Sequence, residues 1–226
     1  MALPDTTEFR HSPYRTKLTR DVASTSALFG SNAGLAGQAV LSFSDILGNK
    51  NIVIAAGIYG SLLDSDVLLQ YTDQSHRTNF GAALFQYRND FYLTTRPTED
   101  EFQSLVYRGA ELFVSRPFSK FNRIELSLAG VGISEKVIRY GFFTNDERVV
   151  QNFGTDFYVE PGMALVKDTA VYGSIGPIDG TRARLSLDHA EGDLQFTNTI
   201  LDYRTYKSLG TRYSVALRML GASSAG

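Results

Sequence analysis

Residues Thr211 to Met219 read TRYSVALRM. Tyr213, Val215, Leu217 and Met219 fall on alternate positions, with Arg212, Ser214, Ala216 and Arg218 between them. A period of two places the two sets on opposite faces of a β-strand. Thr181 to His189 repeats the pattern, with Ala183, Leu185 and Leu187 opposite Arg182, Arg184, Ser186 and Asp188. In Phe121 to Ala129, Ile124, Leu126 and Leu128 face away from Arg123, Glu125 and Ser127. Working outward from these, eleven strands are expected: 17–24, 35–44, 51–60, 66–72, 78–87, 102–115, 121–134, 152–166, 181–189, 194–206 and 211–220. No amphipathic helix of comparable clarity competes with them.

Two architectures fit such alternation. In a soluble sandwich the apolar faces meet a second sheet; in a transmembrane barrel they meet lipid while the polar faces line the lumen. Strand length favours the barrel, since several runs reach ten residues or more and a tilted strand needs about nine to eleven to cross a bilayer. The connections also alternate in character. Short turns at 45–50, 73–77, 116–120 and 207–210 interleave with longer polar loops at 88–101 and 135–151. The order is imperfect, because 191–193 is short where a long loop is due and 167–180 is long where a turn is due. Tyr and Phe crowd the strand ends, Tyr71, Phe85, Tyr87, Phe118 and Tyr213 among them, as an interfacial girdle would require. Five of the six prolines fall in connections or termini; only Pro161 falls inside a strand, where a bulge or an edge is expected.

Composition narrows the function classes. The 226 residues have no Cys, which excludes a disulfide framework and Cys-based metal or redox chemistry. With 22 Lys+Arg against 24 Asp+Glu spread along the chain, there is no basic footprint for nucleic acid. No apolar run is long enough for a membrane helix, and the polar start MALPDTTEFRHS lacks the core of a signal peptide.

The segment Ala164–Arg184, ALVKDTAVYGSIGPIDGTRAR, carries a resemblance. It resembles the periplasmic turn of the BamA/TamA-type outer-membrane surface-antigen barrels, in which an Asp closing one strand precedes a Pro-x-x-Gly-x-Arg step opening the next. The matching residues are Asp168, Pro177, Gly180 and Arg182. FSDILGN at 43–49, Asp202-Tyr203-Arg204 with Tyr206, and the terminal RYSVALRMLGASSAG are similar to the subset of that family found after a TolB-type propeller. The resemblance spans about Ser12 to Gly226. It implies an all-β, antiparallel up-and-down transmembrane β-barrel of sixteen strands in a bacterial outer membrane, in a family that folds or translocates other proteins. Eleven strands would be about two-thirds of such a barrel, so residues 1–13 read as a linker and 14–226 as a partial, incomplete barrel domain. The family's Arg-Gly-Tyr or Arg-Gly-Phe loop signature has no match here, since Arg108-Gly109 is followed by Ala110 in mid-strand. Implied partners are outer-membrane lipid and lipopolysaccharide, client outer-membrane or secreted proteins, and a covalently linked upstream periplasmic domain.

No catalytic, cofactor-binding or metal-ligating set emerges. His11, His76 and His189 stand apart, without a second ligand at metal spacing. Asp188 and His189 are consecutive on a strand and face opposite ways, so a lipase-type relay through them is not expected. Glu99, Asp100 and Glu101, like Asp146 and Glu147, read as carboxylates of solvated or divalent-bridged, lipopolysaccharide-facing loops. The Gly-rich 30–37 precedes a strand rather than a helix, so it forms no phosphate cradle. Arg182 is expected to hold the turn by pairing with Asp168 or with backbone carbonyls. Arg182, Arg184, Arg212 and Arg218 are together expected to meet Asp188, Asp202 or Glu125 across neighbouring strands, or to meet lumen water. Tyr213, Val215 and Leu217 are expected to face lipid. The alternatives are a soluble all-β binding module, such as a lectin-like sandwich, and an outer-membrane porin or lipase barrel.

Overall fold

The computed structural model describes residues 14–30, 34–59, 65–96, 98–141, 147–174, 176–210 and 213–226. The expected linker at 1–13 and Arg212 lie outside the described residues. The strands are β1 (Leu18–Gly30), β2 (Gly34–Asp45), β3 (Lys50–Tyr59), β4 (Asp66–Asp73), β5 (Asn79–Thr95) and β6 (Glu99–Pro117). They continue with β7 (Asn122–Gly141), β8 (Glu147–Asp168), β9 (Val171–Tyr172), β10 (Pro177–Gly192), β11 (Phe196–Leu209) and β12 (Tyr213–Ala225). All pair antiparallel with their neighbours in chain order, and the two-residue β9 folds onto β10 alone. The result is one meandering sheet, not two facing sheets as a sandwich requires. Among the described residues β1 and β12 remain its edges and do not pair with each other.

Register sorts every side chain onto one of two faces. The chain of pairs Leu69–Leu84, Leu112–Leu128, Leu126–Met163, Leu165–Leu185 and Leu185–Leu201 runs across the outer face. These leucines are exposed rather than packed: Leu112 is 61% exposed, Leu165 50% and Leu185 45%. On β8 this apolar file runs from Phe157 to Leu165. Nine residues make about 30 Å of strand, which at a tilt of about 40° stands about 23 Å tall. The inner face carries the opposite set, and its upper part packs a cluster of Val131, Tyr158 and Ala190 with Phe85, Tyr107 and Phe196 against it.

Several expectations are corrected. Residues 88–101 and 135–151 are mostly strand, not loop: β5 and β6 run to Thr95 and from Glu99, β7 and β8 to Gly141 and from Glu147. Cross-strand bonds hold these polar extensions, with Arg139 Nε donating to Glu101 (2.9 Å) and Arg88 Nη2 to the Tyr140 hydroxyl (2.9 Å). The irregular alternation of connections resolves in the same way. The β10–β11 hairpin turns tightly at the loop end, and the long 168–177 connection at the turn end is filled by β9. Pro161 lies neither at a bulge nor on an edge strand. It pairs in register with Leu128 on β7, while the β8–β10 ladder skips from Asp188–Gly162 to Glu191–Val159, so the missing N–H falls in a gap. Phe85 and Tyr87 do not join an interfacial girdle. They turn inward, where Tyr87 stacks on Tyr107 at 4.7 Å between ring centres.

Two glycines make room for this inner packing. Phe113 lies on Gly81 and Phe85 on Gly109, so closely that a β-carbon at either position would collide with the ring.

Candidate functional site

On the inner wall, below the level of the Val131, Tyr158 and Ala190 cluster, polar side chains converge at two further levels. At the turn end lies an arginine–carboxylate network. Arg182 Nε pairs with Asp168 at 3.0 Å, directly across the β8–β10 ladder. Asp202 accepts from Arg204 (Nε, 3.1 Å; Nη2, 2.5 Å) and from Arg218 (Nε and Nη2, both 3.0 Å). Glu125 takes Arg123 (2.7 Å) on one side and Arg184 on the other. Asp202 and Glu125 each join a cation of their own strand to one from another strand, which is how like-charged arginines tolerate one another on a single wall. Arg182 also reaches the Tyr172 hydroxyl at 2.9 Å, which holds the small β9 hairpin against the strand.

Gly180 sits where that hairpin returns to the sheet, with φ at 98°. A β-carbon there would run into the Thr169 carbonyl oxygen. Thr169 and Thr181 close the turn through Thr169 N–H to the Thr181 carbonyl (2.8 Å) and Thr181 N–H to the Thr169 hydroxyl (3.0 Å). Pro177 opens β10 opposite Tyr172, with a bulge before Asp179. The structure therefore brings Asp168, Gly180 and Arg182 together around one turn, with Pro177 at its entry.

At mid-height the wall changes sign. Glu111, Glu160 and Asp188 face one another across β6, β8 and β10, and none accepts a hydrogen bond from another described residue. Asp188 leans over Gly162, so closely that a β-carbon at Gly162 would meet its carboxylate. His189, on the opposite face, meets Thr197 (2.9 Å) and Glu191 (3.4 Å) instead. Asp188 and His189 therefore do not form a relay. No group of three or more potential metal ligands occurs among the described residues. Toward β2 the wall becomes apolar and opens into a cavity of about 650 Å³ lined by Val40, Leu68, Ala83, Phe85, Tyr87, Glu111 and Phe113 among others.

A second polar set lies outside this wall, at the first turn. Asp45, nearly fully buried, accepts from the Tyr14 hydroxyl at 2.5 Å and from the Lys50 N–H at 2.9 Å. The same bond from Tyr14, together with backbone N–H groups, holds the Asp45 carboxyl below its usual range, and Asp45 in turn pushes Tyr14 up to about 12. Asp73, on the neighbouring turn, is lowered by Ser75 and Lys50. The FSDILGN motif contains this Asp45, but the tyrosine that caps it is 31 residues away, and nothing in the local pattern marks it.

No family model matches the chain, and no curated protein matches it by sequence. Among solved structures it is similar to BamA from Haemophilus ducreyi lacking POTRA domains 1–3, at a TM-score of 0.60 and 14% identity. That match covers 93% of this chain and 41% of the other. The chain thus has an all-β, up-and-down fold similar to the BamA barrel, left open at β1 and β12.

Proposed function

We propose that this chain is the greater part of a bacterial outer-membrane barrel that serves the assembly or translocation of other outer-membrane proteins, and that it has no enzymatic role of its own. The observation that carries the reading is the outer face: file after file of exposed leucine, valine and methionine about 23 Å tall, backed by a charged inner wall. In water such a surface would be an aggregation hazard; against lipid it is the expected surface. The likeness to BamA supports the assembly role, and the turn motif of Asp168, Pro177, Gly180 and Arg182 is read as its periplasmic turn. On this reading the short turns face the periplasm, where an upstream domain would be joined, and the β5–β8 extensions stand outside the cell.

Two measurements test it. The purified chain should fold only with detergent or vesicles and then migrate differently in gels before and after heating; a monomer that folds cooperatively in plain buffer would overturn the membrane reading. Vesicles already carrying the chain should fold a second barrel protein several-fold faster than empty ones. Normal insertion without that acceleration would remove the assembly role alone.

A further inference from the structure

The lipid-facing files end differently at their two ends, and the turn end carries the sharper pattern. On β6 the outer file runs Ala110, Leu112, Val114 and then Arg116; on β8 it runs Met163, Leu165 and then Lys167. Each cation stands one step beyond the last apolar side chain. Between them, the β6–β7 turn presents Phe118, 58% exposed, and Lys120, whose ammonium lies 5.6 Å from the centre of the Phe121 ring. The turn is rigid. Ser119 Oγ accepts the N–H groups of Phe121 and Asn122, and Arg77 from the neighbouring turn donates to the carbonyls of Pro117 (3.2 Å) and Phe118 (2.9 Å). Arg116 in turn bonds Thr78, so the two turns are stitched in both directions.

No Asp or Glu occurs in 74–78 or in 112–124. Elsewhere on the same rim two lysines have carboxylate partners, Lys207 with Asp179 at 3.4 Å and Lys50 with Asp73 at 3.9 Å. Arg116, Lys120 and Lys167 have no carboxylate partner among the described residues. Cations at the foot of an apolar face, flanked by exposed aromatic rings, match the depth and sign of lipid phosphates.

We propose that Arg116, Lys120 and Lys167, with Phe118 as an apolar wedge, bind the headgroup phosphate of an anionic phospholipid in the leaflet at the turn end. This rests on the membrane reading above. The test uses the full chain folded in a maltoside detergent, with retained lipid read by native mass spectrometry from equimolar phosphatidylglycerol and phosphatidylcholine. The chain should retain phosphatidylglycerol in preference, and Arg116→Gln with Lys120→Gln should lower that preference by about fivefold per cation removed. Lys120→Gln alone, in a turn whose hydrogen bonds do not use that side chain, keeps the test open if the double variant folds poorly. Arg148→Gln, at the loop end, should leave the preference unchanged. Equal retention of the two lipids by the unaltered chain, or a preference that survives both substitutions, would overturn the site. Failure to insert into phosphatidylcholine vesicles at all would instead sink the membrane reading.

Discussion

At the scale of single residues, the turn between β8 and β10 shows how far a short motif predicts contact. Asp168 and Arg182 are 14 positions apart, yet the strand pairing places them directly opposite, and their pairing follows from alternation and charge. Gly180 is required by conformation: its φ of 98° is costly for any residue with a side chain, and the space beside it is taken by Thr169. Gly180→Ala should lower stability by about 1–3 kcal/mol, read by urea unfolding in lipid; an unchanged midpoint would mean that the turn can refold around the methyl group. The Tyr14–Asp45 bond is of the opposite kind. It joins a strand end to a residue before the first strand, and only the folded chain brings them together. Asp45 is held below its ordinary value, so its contribution is complete above about pH 4 and is lost as pH falls through the depressed value. Tyr14 is raised, so its contribution is complete below about pH 10 and is lost as pH rises through about 12. Tyr14→Phe should abolish the alkaline loss and blunt the acid one, as followed by hydrogen exchange of the Lys50 amide.

At the scale of elements, the strand was legible because its period of two is written directly into the chain. The eleven long strands occur in the expected order, and β9 is the addition. Strand ends were less legible. Beyond the apolar files the alternation of apolar with polar residues breaks down, as in Glu99–Glu101 and Glu147–Asn152, and such stretches read as loops until cross-strand partners such as Glu101 and Arg139 are known. Face assignment gives the clearest test at this scale. Leu128 pairs with Leu112 and with Pro161, the middle of the β8 file, on the outer face, and Leu128→Arg should cost about 2–4 kcal/mol of insertion free energy near the midplane. A folding titration showing no effect would place Leu128 away from lipid. Asp202→Asn addresses the other face: Asp202 is the shared acceptor of Arg204 and Arg218, which links β11 to the edge strand β12. Amide exchange in β12 should quicken relative to β7 in that variant, because an edge strand has no second neighbour to hold it.

At the scale of the molecule, the main consequence is that among the described residues the sheet has two free edges and an apolar outside. The chain should therefore depend on amphiphiles to stay monomeric, and light scattering on dilution out of detergent should rise steeply; a clear monomeric solution would contradict the outer face described here. The sequence by itself determined the eleven long strands, the polarity of their faces and the absence of a cysteine framework, because these depend on local period and composition. The Asp168–Arg182 turn was marked only by the resemblance of its Asp and Pro-x-x-Gly-x-Arg residues to a known turn, not by period or composition. Tertiary structure alone decided which polar groups meet: the three-level inner wall, the Phe113 and Phe85 rings lying on Gly81 and Gly109, the gap that accommodates Pro161, and the tyrosine cap on Asp45. Those depend on register between strands distant in sequence, and register is set by the whole sheet at once rather than by any one strand.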